Sequence, residues 1–190
     1  QDRLVADVTL AHQKRGPVGL TGSSSKRVIE PRHSGCYRMG VPRRELKHPH
    51  QVEDWLVELS RQLTQPGEII LIGSGALLWH AFQRDIVEPL PENSMDVDPI
   101  TYSDEVARLC YDALIGSEFE QTHGWHVNLM PDSVLKELPA GWEQRATRRQ
   151  VGKLQLLVPA PADLLAPKLR RNEPRDRAHA VWAKRVGLLG

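Results

Sequence analysis

The sequence predicts a mixed α/β fold: an α+β core with a mixed sheet, closed by C-terminal helices. Three observations carry this. Short apolar runs of strand length alternate with amphipathic stretches of helix length, Gly or Pro punctuates the joins, and residues 161–190 show helical periodicity only. The 190 residues suit one globular domain. No apolar run approaches the ~18 residues that a membrane-spanning helix requires, so a membrane partner is not expected. The opening QDRLVADVTLAHQKRG lacks a secretory signal's basic region and apolar core, and a cytoplasmic location is expected. Cys36 and Cys110 stand 74 positions apart in segments of different character, which suggests neither a disulfide nor a cysteine metal site.

Charge divides the chain in two. Residues 1–50 carry ten Lys/Arg against four Asp/Glu, and residues 51–190 carry fifteen against twenty. The near-neutral total therefore conceals a basic arm on a mildly acidic body. GPVGLTGSSSKR, EPRHSGC and GVPRREL break any helix or central strand in the arm, which is expected to be disordered. Such an arm can be simply solvated, can grip nucleic acid or an acidic partner, or can be upstream sequence outside the evolved domain.

Residues 51–190 form the predicted domain. Val52, Trp55, Leu56, Leu59 and Leu63 mark one face of an amphipathic helix, ended by Pro66-Gly67. EIILI (68–72) is a continuous apolar run and predicts a strand buried on both faces. Gly73-Ser74-Gly75 breaks it before the helical ALLWHAF. After the Pro-marked loop EPLPENS, MDVDPI (95–100) alternates as a second strand, and SDEVARLCYDALI (103–115) reads as a helix capped by Ser103 or Asp104. WHVNLM (125–130) suggests a third strand, and Asp132 or Ser133 caps a short helix through Leu138. RRQ (148–150) and KLQLLV (153–158) pair around Gly152, and ADLLAPKLRR and PRDRAHAVWAKRVGLL supply two final helices. Trp79, Trp142 and Trp182 are expected in the core with the helical Leu and Val stripes.

Chemistry gathers where Gly73-Ser74 precedes Asp96 and Asp98. Alternation along a strand puts both carboxylates on one side with Val97 on the other, their backbones ~6–7 Å apart. Two carboxylates so held suit a hard divalent cation, because Mg²⁺ is usually taken by one or two carboxylates plus substrate phosphates. A Gly-Ser turn lets the backbone approach a phosphate, and the amides that open the next helix point outward. Each half alone also fits a plain turn or a solvated strand edge. Buried strand, GSG turn, helix, loop and a second strand bearing S-x-D-V-D-P, all in close succession, strengthen the joint reading.

On these residues the chain resembles a known superfamily. IGSGALLWHAF followed by SMDVDPI looks like the minimal nucleotidyltransferase fold of DNA polymerase β type, with its Gly-Ser turn, helix and D-h-D strand. PADLLAPKLRRNEPRDRAHAVW is similar to the helical ending of AbiEii-like and related small bacterial nucleotidyltransferases, matching at Lys168-Leu169 and Arg175-Asp176. The resemblance spans roughly residues 51–190 and implies a nucleotidyltransferase-like core. It implies Asp96 and Asp98 as catalytic ligands of Mg²⁺ or Mn²⁺, with Gly73, Ser74, Lys168 and Arg175 holding the nucleotide. NMP would pass from an NTP to a hydroxyl of an RNA (tRNA-like) or a protein, with an antitoxin as partner if the chain is the toxin of a toxin–antitoxin or phage-defence pair. Lys168 and Arg175 fit a solvated helix face as well, and Asp176 fits a structural partner of a nearby basic side chain.

The chain departs from the superfamily pattern at three places: Asn128 where a third carboxylate is common, Glu92 where an Arg often precedes the first Asp, and His179 where many relatives have an Asp. A degenerate module that binds nucleotide or a partner protein is therefore the alternative. A nucleic-acid binder acting through the basic arm is a further one. His123 and His126 lack a third ligand for zinc. EQRATRRQ and KLRRNEPRDR suit either an RNA backbone or a solvated surface.

Overall fold

The computed structural model describes residues 45–92 and 94–189. Cys36 and nearly all of the basic arm lie outside the described residues. The order of elements is α1 (Pro49–Gln62), β1 (Gly67–Ile72), α2 (Gly73–Phe82), β2 (Asp96–Ile100), α3 (Asp104–Tyr111), α4 (Glu118–His123) and β3 (His126–Val127). A 3-10 helix (Asp132–Glu137), α5 (Trp142–Arg145), β4 (Thr147–Val151), β5 (Leu154–Val158), α6 (Pro161–Arg171) and α7 (Pro174–Arg185) follow. Among the described residues no helix is long and apolar enough to cross a membrane.

Helix α1 begins with Pro at its first turn, and Gln51 Oε1 accepts from the His48 amide at 2.7 Å, which satisfies one of the free donors at the helix start. Its apolar stripe turns inward, burying Val52, Trp55, Leu56 and Leu59. Packing reaches upstream of residue 51: Leu46 is fully buried and bridges to Ser94. Ser103 stands at the start of α3 without capping it, because its Oγ accepts from the Glu68 amide at 3.0 Å and ties the helix to β1. Pro131, rather than Asp132 or Ser133, precedes the 3-10 helix. The short α4 was not legible in the periodicity; Ser117 caps it and Gly124, at φ 78°, ends it.

The five strands form a mixed sheet in the order β3-β2-β1-β5-β4. β1 runs antiparallel to β2 and parallel to β5. Along β1 burial alternates, with Gly67, Ile69 and Leu71 buried, Glu68 exposed, and Ile70 and Ile72 half-buried. The apolar run thus serves a sheet covered fully on one face, not on both, and its triple Ile supplies one core residue and two on the accessible side. Leu71, Val97, Leu154 and Leu156 share the core with Leu56, Leu77, Trp79 and Trp182. Glu53 of α1 is buried there as well, accepting from Trp79 Nε1 at 3.0 Å and pairing with Arg149 at 3.1 Å. Cys110 is buried in the core, and desolvation pushes its thiol up to about 12.

Candidate active site

Strand β1 passes into α2 with no intervening loop, and Gly73 makes the turn at φ 71°. A Cβ at Gly73 would lie 2.2 Å from Asp98 Oδ2, so the glycine is required both by its conformation and by the close approach of the carboxylate. The antiparallel register sets Ile72 opposite Asp98. Val97 is buried, while Asp96 and Asp98 emerge half-buried on the accessible face, as alternation requires.

A side-chain hydrogen bond holds each carboxylate. Ser94 Oγ donates to Asp96 Oδ1 at 3.0 Å and lies 3.0 Å from Ser74 Oγ, so a hydroxyl chain leads from the turn to the first aspartate. Ser74 is buried, and its hydroxyl is engaged by Ser94. Asn128 Nδ2 donates to Asp98 Oδ1 at 2.9 Å, placed there by the parallel register of β3 on β2. Burial, followed by repulsion from Asp96, raises Asp98 to about 6, although Asn128, Lys168 and Arg175 all oppose the shift.

That shift has a stability consequence. A folded-state value above the ordinary 3.8 means that the native protein binds this proton more tightly than the unfolded chain. The ionised carboxylate therefore costs stability above about pH 6, and the cost fades as pH falls toward 4. Asp98→Asn is expected to stabilise the metal-free protein by roughly 1–3 kcal/mol at pH 8 and hardly at all at pH 4. Urea titrations in EDTA at the two pH values measure this; a loss of stability at pH 8 would refute it. His179 works in the opposite sense: burial, then the charge of Lys168, lowers it to about 4, so its contribution is present above pH 6.5 and is lost as pH falls to 4. Asp98→Asn and His179→Gln should therefore tilt the stability–pH curve in opposite directions.

Helices α6 and α7 form the cationic wall. Lys168 and Asp176 are buried with Nζ 3.5 Å from Oδ1, and Arg171 donates to Asp176 through Nε and a terminal nitrogen, each at 3.2 Å. Burial lowers Lys168 despite Asp176; burial alone would raise Asp176, but Arg171 and Lys168 hold it below the usual carboxylate range. Asp176 is thus the structural partner of two basic side chains. His179 Nε2 lies 3.3 Å from the Glu92 carbonyl oxygen and ties the segment before β2 to α7.

A cleft of about 270 Å³ brings Gly73, Ser74, Asp96, Asp98, Lys168 and Arg175 together, with Arg171 and Glu137 on its walls. Arg171 and the bridging role of Ser94 were not read from the sequence. The S-x-D spacing carries a signal for Ser94; Arg171 had none, since it stands among several arginines of equal appearance. Away from the cleft, His123 Nδ1 lies 3.0 Å from the Phe119 carbonyl oxygen, and His126 faces Glu120 at 3.5 Å.

The donor chemistry fits Mg²⁺ or Mn²⁺. Two half-buried carboxylates on one face, with the charge of Asp96 adding to burial in raising Asp98, gain from a shared divalent charge. Among the described residues no group of three His, Cys, Asp or Glu could complete a protein cage, so the remaining ligands of such an ion would be substrate oxygens and water.

Residues 51–184 match the model of a family described as a nucleotidyltransferase of unknown function (DUF6036). The chain belongs to this family. No curated protein and no solved structure matches it significantly. The family match spans every element that builds the cleft, from β1 to most of α7, and a nucleotidyltransferase takes a nucleoside triphosphate as its substrate.

Proposed function

We propose that the chain is a Mg²⁺- or Mn²⁺-dependent enzyme that transfers NMP from an NTP to a hydroxyl of an RNA (tRNA-like) or protein acceptor. The observation that carries this is the meeting of Asp96 and Asp98 with the Gly73-Ser74 turn on one side of a single cleft and with Lys168, Arg171 and Arg175 on the other. Bound at Asp96 and Asp98, the ion would supply charge neutralisation at the phosphates and the leaving oxygen. The amides opening α2 face the same phosphates, and Lys168 and Arg175 offset their charge from the far wall. Gly73 leaves Asp98 room, while Ser94 and Asn128 hold the two carboxylates in place. The acceptor oxygen attacks the α-phosphorus, the bond to the β-phosphate oxygen breaks, and pyrophosphate leaves. Asn128 cannot take up the acceptor's proton, which passes to Asp98 or to water.

That same Asn128 favours a second reading. With an amide where a third carboxylate is common, the fold serves as a module that binds nucleotide or a partner protein without turnover. Placement as the toxin of a toxin–antitoxin or phage-defence pair is supported by the likeness of residues 161–182 to AbiEii-like proteins, and a neighbouring antitoxin gene would be its mark.

The test incubates the protein with each α-³²P-labelled NTP, Mg²⁺ or Mn²⁺ and total bacterial RNA, beside the Asp96→Ala/Asp98→Ala variant. Label should enter RNA or protein with the unmutated chain only, at least ~10³-fold above the variant. Metal-dependent NTP binding without transfer selects the binding module. Absence of both removes the site assignment.

A further inference from the structure

The sheet leaves one face accessible, and that face continues from the aspartates across the molecule. Ile70 pairs with Ile100 on β2 and with Leu157 on β5, and Leu157 pairs with Arg148 on β4, so these four side chains share a row beside the one containing Ile72 and Asp98. Glu68, Gln155 and Gln150 form the next row, with the 67% exposed ring of Tyr102 against them. Together they line a concavity of about 350 Å³. Tyr102 lies two residues beyond the end of β2 and four from Asp98, at most ~13 Å along the chain, and three strand spacings separate β2 from β4, ~14 Å.

The pairing of the arginines then says what charge this face lacks. In the two basic stretches Arg145, Arg149 and Arg171 are held by Asp163, Glu53 and Asp176, and Arg170 and Arg177 by backbone carbonyls. Arg148 and Arg175 have no hydrogen-bonded or ion-paired partner among the described residues, and they stand at the sheet concavity and at the aspartate cleft respectively.

We propose that this face is the acceptor-binding platform of the transferase and that its occupant is single-stranded RNA. The proposal rests on the transferase reading above. Arg148 meets a backbone phosphate, an unpaired base stacks on Tyr102, and Gln150, Gln155 and Glu68 offer donors and acceptors to base edges. The chain end then runs along β2 toward Asp98. A polypeptide acceptor is disfavoured on this surface: the apolar row of Ile70 and Leu157 is shallow and half-buried, whereas the flat ring and unpaired guanidinium match a base and a phosphate. A duplex would leave no base free to stack on Tyr102.

Fluorescence anisotropy with a short fluorescein-labelled single-stranded RNA, using the full chain in Mg²⁺, tests the platform. Tyr102→Ala/Arg148→Ala is expected to weaken RNA binding roughly five- to hundredfold and to flatten the dependence of log K on log salt by about 0.7. Tyr102→Phe, which keeps the ring, binds as the parent does, and α-³²P-NTP binding is unchanged in all of these surface variants. RNA affinity unaltered in the double variant, or label transferred to protein and not to RNA, would overturn the proposal. Failure of the transferase reading looks different: no transfer to any acceptor, with NTP binding kept if the fold is a binding module and lost if the site assignment is wrong. In that case the anisotropy comparison still decides whether the face binds RNA.

Discussion

Gly73→Ala is expected to lower nucleotide transfer at least ~100-fold while leaving the protein folded, because displacing a catalytic group by about 1 Å is enough for a loss of that size. The new methyl would fall 2.2 Å from Asp98 Oδ2, on a residue whose φ is 71°. Left-handed backbone costs alanine about 1–2 kcal/mol, equivalent to a few degrees in melting temperature for a domain of this size. The clash is resolved by swinging Asp98 away from Asn128 or by opening the junction between β1 and α2, and either movement separates the two carboxylates. Gly75→Ala is the control. A Cβ there would sit 3.4 Å from Val97 Cγ1, an ordinary contact, and alanine favours a helix interior by about 1 kcal/mol over glycine. Steady-state transfer and thermal melts of both variants measure the contrast; equal activity in the two would remove the steric argument at Gly73.

Asp176→Ala is expected to be the most destabilising single change in the site, costing about 3–5 kcal/mol, since removing one member of a buried ion pair strands the other. Lys168 would then stay buried without its carboxylate, and Arg171 would lose both of its hydrogen bonds to Asp176. Against a total stability of roughly 5–15 kcal/mol this is a large fraction, and the urea midpoint of the variant should fall well below that of the parent. Urea denaturation of Asp176→Ala and of Lys168→Met/Asp176→Leu distinguishes charge from packing. The paired replacement should recover most of the stability, because an apolar pair of similar volume can replace a buried salt bridge, yet it should bind triphosphate poorly for want of Lys168. If the paired variant is as unstable as Asp176→Ala, the cost lies in packing and not in the stranded charge.

Several features of the site are legible in the chain as written. Gly73 follows a buried run and precedes a helical one, which already marks a tight strand-to-helix turn, and two aspartates one residue apart on a strand must face the same way. Other features are not. Ser94 and Asn128 matter through partners at Asp96 and Asp98, and Asn128 reaches its own across thirty positions of sequence. His179 pins a carbonyl 87 positions away. In the same way, Ser103 has the form of a helix cap, but the amide of Glu68, brought alongside by the sheet, takes its hydroxyl first.

Hydrophobic periodicity and the conformational limits of Gly and Pro act over a few residues, so chain order alone is enough to set the longer helices and strands, though not the short α4 and α5, together with the turn at Gly73 and the shared side of Asp96 and Asp98. Which face of β1 is covered, and which of seven arginines between 145 and 177 are neutralised, depends on groups far apart in the chain. Those outcomes are selected by packing: the buried carboxylates Glu53, Asp163 and Asp176 must each find a counter-charge in three dimensions and take Arg149, Arg145 and Arg171, while the exposed Arg148 and Arg175, which solvent can satisfy, stay unpaired among the described residues.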